Sequence, residues 1–512
     1  MPNLFAQFVL YSFPLVVLVL FKRLPRHEAL IWSILGGYLF LPVQTGIDLP
    51  LLPELNKVLI PSLTAAIMCL ILPDATAVPR RRGQARAPTK NDGPDRQRSV
   101  IATLCVVILF VIPIAIFQTN QEPVIAGPRF IPGLGQYDVF SMILNAAVML
   151  LPFLVARRYL ASQEAQLALL RALVIGGLVY SLLILVEVRL SPQLNRWIYG
   201  FHAHSFAQHV RNGGFRPMVF LEHGLRVGVF IVMGVFAAGI LWRFGKEAKP
   251  EVTPVAGRRL SSGKVRKAPY LLWCGWLFVI LFLSKTLGAF LIALVLLPVV
   301  LFFKARTQIL VAAAIAGMVL LYPTLRQANV LPIGAVQDLA SSISADRAAS
   351  LNTRLENEET LLARANIKPL FGWGGWGRSR IFDQFTGRDL STTDGTWVIA
   401  FGVSGWIGYL ATFGLLTWPT FMLIRRRGTV NLVTSGLTLV LAANLVDLIP
   451  NSSLTPLTWT LAGSVLGGLE VMKRTRQEAD RSPRLRREAV PQAKTQRQAL
   501  ITSRRTTARN LR

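Results

Sequence analysis

Asp394 is a carboxylate that stands just before a long apolar run, in STTDGTWVIAFGVSG at residues 391–405. An acid at this place can cap a helix, because the first backbone N–H groups of a helix favour negative charge. It can also act as a general base, which needs an ionisable group within reach of a hydroxyl. Both interpretations stay open from the sequence.

A second group of candidates lies in SADRAASLNTRLENEETLLARANIK, which has a helical period. Arg347, Arg354 and Glu358 are spaced seven and four residues apart, so they share one face of that helix. One interpretation is a solvated face with an Arg354–Glu358 pair. The other is a diphosphate site, because the planar fork of arginine matches paired phosphate oxygens.

The stretch RNGGFRPMVFLEHGLRVGVF gathers charged residues at the start of an apolar run. Arg211 and Arg216 precede the run, and Glu222, His223 and Arg226 open it. Ionisable residues just inside a membrane are costly, so they indicate a functional site or a mutually paired cluster.

Four of the five histidines also fall in this region: His202, His204, His209 and His223. Their spacing, H-x-H-x4-H, has no matching second cluster of ligands, so neither a metal site nor a cofactor is expected.

Two further motifs carry candidate substrate-binding residues. In FLSKTLGAF, Lys285 separates two short apolar runs, so its charge must reach the outer surface or a shared cavity. In FGWGGWGRSRIF, Trp373 and Trp376 suit either anchoring at the membrane interface or stacking on a sugar ring.

The elements that must position these residues are predicted to be membrane helices. Of the 512 residues, 52% are hydrophobic and 16% are charged, with a mean hydropathy of +0.47. Charged residues make up about 25% of soluble domains, so this composition indicates an integral membrane protein. The net charge of +29 does not indicate nucleic-acid binding, because the basic residues form short clusters between apolar runs. An all-α polytopic fold with about 12 to 13 transmembrane helices is predicted, from apolar runs near residues 4–21, 28–43, 57–73, 99–117, 138–156, 171–190, 220–242, 269–284, 286–303, 308–323, 396–424, 430–450 and 455–472.

The number of transmembrane helices depends on the first apolar run, which either spans the membrane or only lies at its interface. Most of the 55 Lys and Arg residues fall in alternate connections and in the tail, which predicts that these parts and the C-terminus are cytoplasmic. The cysteines Cys69, Cys105 and Cys274 all lie in apolar runs and are expected to pack as small hydrophobic side chains.

The domain prediction is one transmembrane domain at 1–472 and a basic tail at 473–512. The tail and the basic connection at 80–98 are predicted to be disordered and attracted to anionic lipids, with a regulatory partner as the alternative. On the outer side, the segments 191–219 and 324–395 are predicted to face one cavity. The second is too long for a structureless connection and is predicted to be a partly helical loop.

The order of these motifs resembles the O-antigen ligase and polymerase superfamily, the bacterial Wzy- and WaaL-like membrane proteins that join lipid-linked glycans. The resemblance covers roughly residues 205–425 and follows the order NGGFRPMVFLEHG, LSKTLGAF, Arg354 to PLFGWGG, and DGTWVIAFGVSGWIG. Lys285 stands where arginine is usual, and Asp394 stands where the ligases carry a histidine. The resemblance therefore favours a polymerase, with a ligase second.

This resemblance implies a metal-independent, GT-C-like glycosyltransferase of the bacterial inner membrane, multi-pass and without a cofactor. Its donor would be an undecaprenyl-diphosphate-linked glycan, its acceptor a glycan or lipid, and its partners other polysaccharide-assembly proteins. Arg216 and Arg354, with Arg347 or Lys285, would stabilise the leaving diphosphate, and Asp394 would accept the proton of the acceptor.

A glycan flippase or polysaccharide transporter without chemistry of its own is the alternative from another class. Transporters often carry internal repeats, and the sequence shows none.

Overall fold

The computed structural model describes residues 1–49, 53–74, 99–211, 213–247, 269–330, 332–343 and 345–472, and this part of the chain is mostly helical. The predicted disordered segments, 80–98 and 473–512, lie outside the described residues. So do the side chains of Arg211 and Arg347, whose backbone alone is described.

Sixteen helical segments follow one another along the described chain. They are α1 Leu4–Arg23, α2 Arg26–Phe40, α3 Leu59–Ile71, α4 Val100–Gln118, α5 Gln136–Tyr159, α6 Gln163–Leu190, α7 Leu194–Tyr199, α8 Gly224–Glu247, α9 Tyr270–Leu283, α10 Leu287–Phe302, α11 Ala305–Gln327, α12 Ile333–Ile343, α13 Ala345–Ile367, α14 Thr396–Ile424, α15 Leu432–Asp447 and α16 at 456–472. Each of the thirteen predicted apolar runs coincides with one of these helices.

Three small antiparallel hairpins and a 3₁₀ helix complete the described structure. The hairpins are β1 Gly46–Ile47 with β2 Leu55–Asn56, β3 Val124–Ala126 with β4 Arg129–Ile131, and β5 Val210–Arg211 with β6 Gly214–Phe215. The 3₁₀ helix is Phe206–His209. The predicted all-α class is therefore confirmed at the level of a mostly helical protein with few strands.

Among the described residues, seven helices are long and apolar enough to cross a membrane: α1, α4, α5, α6, α8, α11 and α14. Four shorter apolar helices, α3, α9, α10 and α15, accompany them. At about 1.5 Å per residue, the 14 residues of α9 extend only about 21 Å. A turn that joins α9 to α10 is therefore expected to lie below the surface of a hydrocarbon core of about 30 Å.

Helix α8 forms the centre of the described structure. It packs against α6, α9, α10 and α15, and Phe230 and Phe236 are fully buried within it. Gly228 lets the turn between α9 and α10 approach closely, because a Cβ there would meet Thr286 Oγ1 at 2.5 Å. The turn that carries Lys285 is therefore held against the beginning of α8.

The glycine-rich stretch PLFGWGG packs against a break in α14. Gly405 has φ +61° inside this helix, and a Cβ there would lie 2.3 Å from the backbone of Leu370. The backbone N–H of Trp406 donates to the carbonyl of Pro369 at 2.7 Å, and the backbone N–H of Trp373 donates to the carbonyl of Gly402 at 2.9 Å. These contacts fix the first half of α14, which follows Asp394, against the loop after α13.

Candidate functional site

A central cavity of about 500 Å³ brings distant parts of the chain together. Its walls comprise His204, Gln208, Glu222, His223, Leu225, Arg226, Thr353, Arg354, Thr392, Asp394, Asn451, Ser452 and Ser453. The segments 191–219 and 324–395 therefore line one cavity, as the sequence predicted. The second segment is also partly helical, since it contains α12 and α13.

Arg354 and Asp394 form an ion pair in the wall of this cavity. Arg354 Nε lies 3.3 Å from Asp394 Oδ2, and the two side chains are 37% and 39% exposed. The predicted alternative, an Arg354–Glu358 pair, is wrong. Glu358 instead accepts hydrogen bonds from Arg326 Nε at 3.0 Å and from the Tyr322 hydroxyl at 3.2 Å, both on α11. Burial raises the pKa of Glu358, and the charge of Arg326 opposes that rise.

Asp394 does not cap the helix that follows it. The N-cap residue of α14 is Gly395, and no side chain makes a capping hydrogen bond there. Instead, the Thr396 N–H donates to the carbonyls of Leu448 and Asn451 at 3.0 and 3.2 Å, and the Thr396 hydroxyl donates to Asn451 at 2.8 Å. The capping interpretation is therefore wrong, and the carboxylate of Asp394 faces Arg354.

The loop after α15, whose carbonyl groups accept the hydrogen bonds of Thr396, is held by a buried acid that was not among the residues predicted from the sequence. Asp447, at the end of α15, is 2% exposed. Its carboxylate accepts hydrogen bonds from Asn451 Nδ2 at 2.7 Å and from the Ser453 hydroxyl. The sequence did contain an indication of this role, because an ionisable residue inside an apolar run is costly unless it has partners.

Glu222 and Arg226 form a second ion pair, at 2.8 Å and one helical turn apart. Both side chains line the central cavity, so the charged start of α8 is a mutually paired cluster that also faces the cavity.

Three histidine rings cluster beside these charges. The ring centroids of His204 and His209 each lie 4.8 Å from that of His223, and 5.6 Å from each other. Burial, followed by the neighbouring histidines and the charges of Arg216 and Arg354, lowers the pKa of His223 to about 3. Its imidazole is therefore neutral near pH 7. Within the described residues, no group of three His, Cys, Asp or Glu side chains is arranged to hold a metal ion.

Arg216 lies beside the histidine cluster because the β5–β6 hairpin returns the chain to His209. The Arg216 N–H donates to the carbonyl of His209 at 2.8 Å, which extends the hairpin ladder. Its side chain is only 8% exposed and packs against Gly224, where a Cβ would lie 2.5 Å from Arg216 Cγ.

Lys285 adjoins the same cluster from the turn between α9 and α10. The Lys285 carbonyl accepts a hydrogen bond of 3.5 Å from Arg216 Nη2, and its backbone has φ +54°. Its ammonium group packs on Gly214, where a Cβ would lie 2.4 Å from Lys285 Nζ. Arg216 and Lys285 thus adjoin the cavity without being part of its wall.

A buried glutamate, also absent from the sequence prediction, holds the chain that leads to Glu222 and His223. Glu187 of α6 is 1% exposed, and its carboxylate accepts hydrogen bonds from the N–H groups of Leu194, Met218 and Val219 at 3.0, 2.8 and 2.8 Å. Its place within the apolar run of α6 was the signal for such a role.

The two tryptophans of the glycine-rich stretch lie outside the cavity wall. Trp373 is 9% exposed and lies under the Arg364 guanidinium, 3.5 Å from the ring centroid, with Lys368 Nζ at 4.7 Å. Trp376 is 51% exposed. Sugar stacking by either ring stays a prediction.

Two further cavities share walls with the central one. The first, which we call the apolar cavity, has a volume of about 290 Å³ and shares Arg354, Thr392 and Asp394 with it. The rest of its wall is mainly apolar and includes Ile333, Leu351, Leu355, Leu361, Val398 and Ile449. The second, which we call the side chamber, has a volume of about 470 Å³ and shares Glu222 and Arg226 with the central cavity.

No protein-family model matches this chain, and no curated protein matches it. The function is therefore inferred from the side chains that line the three cavities.

Proposed function

We propose that this protein is a membrane glycosyltransferase that transfers a lipid-diphosphate-linked glycan to an acceptor sugar hydroxyl. The observation that carries the proposal is the shared wall of the two cavities. Arg354 and Asp394 stand between a polar space lined by charged side chains and a mainly apolar one. A substrate that joins a diphosphate to a long hydrocarbon chain needs both environments next to each other.

The diphosphate would bind in the central cavity, where Arg354 and Arg226 line the wall. Guanidinium groups suit phosphate because two N–H groups can meet two oxygens. Arg216 and Lys285 lie close behind and add positive charge. Preorganised cations of this kind stabilise the negative charge that develops on a leaving diphosphate.

The hydrocarbon chain would begin in the apolar cavity. Leu351, Leu355 and Leu361 of α13 face this space together with Val398 of α14 and Ile449. Burial of apolar surface there stabilises the complex by roughly 25 cal/mol for each Å² removed from water.

The reaction joins the oxygen of the acceptor hydroxyl to C1 of the donor sugar. The bond from C1 to the phosphate oxygen breaks, and its electron pair leaves with the lipid diphosphate. Asp394 takes the proton of the hydroxyl. When the diphosphate binds Arg354, it competes with the Asp394 carboxylate for the guanidinium, so donor binding leaves Asp394 available as a base.

The order of the motifs, which resembles the O-antigen ligase and polymerase superfamily, supports a finer proposal. We assign the protein to the bacterial inner membrane, with 12 to 13 spans in a GT-C-like arrangement, a cytoplasmic C-terminus and a periplasmic cavity. The product would be an O-antigen or exopolysaccharide. Asp394 in place of a histidine favours polymerisation over ligation.

A deletion strain tests this proposal through its surface and lipid-linked glycans. Loss of long chains with single units retained indicates a polymerase, and loss of attached glycan with donor accumulation outside indicates a ligase. Donor that accumulates only on the cytoplasmic side indicates a transporter and contradicts the proposal, as does an unchanged glycan profile.

Complementation adds a matched pair of variants. Arg354→Ala is expected to leave the strain defective, whereas Arg380→Ala is expected to restore it. Arg380 is a suitable control because it also pairs with an aspartate in the outer segment, Asp389 at 2.7 Å, but does not line the cavities. If Arg354→Ala restored the glycans of the deletion strain, this arginine would have no part in the mechanism.

A further inference from the structure

The side chamber lies on the other side of the Glu222–Arg226 ion pair from Arg354 and Asp394. Its wall combines the β1–β2 hairpin, the middle of α5 and the beginning of α16. The lining residues are Tyr38, Pro53, Glu54, Asn56, Lys57, Val58, Asn145, Val148, Met149, Pro152, Leu221, Glu222, Arg226, Leu454, Thr455, Pro456 and Trp459. A volume of about 470 Å³ falls within the range of about 300–1,000 Å³ typical of small-molecule sites.

Trp459 lines the chamber and carries a hydrogen-bond donor that has no partner in the described part of the chain. The residue is 2% exposed, and its indole Nε1 is buried without a hydrogen bond. The ring packs edge-on against Phe153, with centroids 6.1 Å apart. Buried indole N–H groups usually find a partner. An acceptor atom of a ligand in the chamber would supply it.

Asn145 is a second polar group that a structural role does not explain. It lies ten residues into α5, a helix long and apolar enough to cross a membrane. An amide that faced lipid at this depth would be costly, so polar residues within spans usually face a protein interior or a water-filled cavity. Asn145 meets this expectation by lining the side chamber.

The charges in the wall of the side chamber are balanced, and Arg216 and Lys285, which adjoin the central cavity, do not line the chamber. Lys57 and Arg226 are balanced by Glu54 and Glu222. Arg226 is bound to Glu222 at 2.8 Å, and Lys57 Nζ donates to the Phe220 carbonyl at 3.0 Å. Balanced charges, amides, hydroxyls and an indole N–H offer many donors and acceptors without an excess of positive charge. This set suits a hydroxyl-rich, uncharged sugar.

We propose that the side chamber binds a sugar unit of the acceptor glycan and presents its hydroxyl past the Glu222–Arg226 pair to the donor in the central cavity. This assignment rests on the proposed transferase function. It names Trp459 and Asn145 as acceptor-binding residues, which would contact the sugar but take no part in proton transfer.

Direct binding tests the assignment separately from transfer. The probe is the lipid-free oligosaccharide cut from the lipid-linked donor, added to the full-length protein in lipid nanodiscs. Trp459→Phe keeps the ring but removes the N–H, and Asn145→Leu removes the amide from a membrane helix that tolerates leucine. Each is expected to weaken the binding by about 3- to 10-fold, the loss of one hydrogen bond.

Trp276→Phe is the matched control, since Trp276 lies on α9, donates to the Ser181 hydroxyl at 3.0 Å and lines none of the three cavities. It is expected to bind the probe as the wild type does. In the transfer assay, Trp459→Phe and Asn145→Leu should raise the KM for the acceptor and leave the KM for the donor unchanged.

The possible outcomes separate the two proposals. Saturable binding that depends on Trp459 and Asn145, without any transfer, supports the chamber as a sugar site and contradicts the transferase. Transfer with an unchanged acceptor KM in both variants overturns the chamber alone. Absence of saturable binding to the wild type also overturns it.

Discussion

At the scale of single residues, the central feature is the Arg354–Asp394 pair. The sequence identified both residues but not their contact, because the helical spacing rule applies only within one helix. Glu358 has the correct spacing from Arg354, yet it binds Arg326 and Tyr322 on α11. The partner of Arg354 comes from another segment, and only the packing of α13 against α14 brings it near.

The low pKa of His223 predicts how stability depends on pH. In the unfolded chain this histidine titrates near pH 6.5, whereas in the folded protein its pKa is about 3. Between these values the unfolded chain binds a proton that the folded chain does not, so stability falls as the pH is lowered through this window.

The expected result is a greater fall in the unfolding temperature between pH 7.5 and pH 5.5 for the wild type than for His223→Gln, measured on detergent-purified protein. His27→Gln, in the first turn of α2, serves as the control and should behave as the wild type does. Equal falls in the wild type and in His223→Gln would mean that the histidine is not held neutral.

At the scale of elements, the start of α14 determines where Asp394 lies. Each predicted helix could be found from its own apolar run, since hydropathy is a local property. The beginning of α14 could not, because its first N–H groups bond to the loop after α15. From the sequence, a helix cap was one of two roles open to the acid, because a cap is the usual local solution, but tertiary contacts provide the partners here.

Gly395 tests this arrangement. A Cβ at residue 395 would lie 2.4 Å from the Ile449 carbonyl oxygen, which belongs to the backbone of that loop. Gly395→Ala is therefore expected to displace the start of α14, lower stability by about 1–3 kcal/mol through overpacking and reduce glycan transfer.

Gly375→Ala is the matched control in the same outer segment. Nothing lies within 4 Å of a Cβ at residue 375, so activity and unfolding temperature should both be retained. The account of α14 would be contradicted if Gly395→Ala matched this control in both measurements.

At the scale of the whole molecule, the cavities show which functional residues the sequence motifs could identify and which they could not. The first and last motifs meet at one cavity, since Glu222, His223 and Asp394 line it, whereas Lys285 only adjoins it and the two tryptophans lie outside its wall. The side chamber was not predicted. Apart from Leu221, Glu222 and Arg226, its residues come mainly from β2, α5 and α16, and none of these elements forms a recognisable motif by itself. Asn145 was the available signal, as a polar residue within an apolar run.

The same arrangement makes glycan transfer a property of the complete membrane protein. Donor, acceptor and base must meet in the central cavity, which shares walls with the other two, so the activity is expected only from the full chain in a lipid environment.

The most direct measurement is transfer by the purified protein in lipid vesicles, supplied with a lipid-diphosphate-linked oligosaccharide and a sugar acceptor. Mass spectrometry of the extended glycan and of the released lipid diphosphate measures the two products of one reaction. We predict both products from the wild type and from Arg380→Ala. Asp394→Asn should be normally folded yet about 10²- to 10⁴-fold slower, the usual effect of removing a positioned base. Full transfer by Asp394→Asn would contradict its role as the base, and a wild type that binds the donor but releases no lipid diphosphate would contradict the transferase itself.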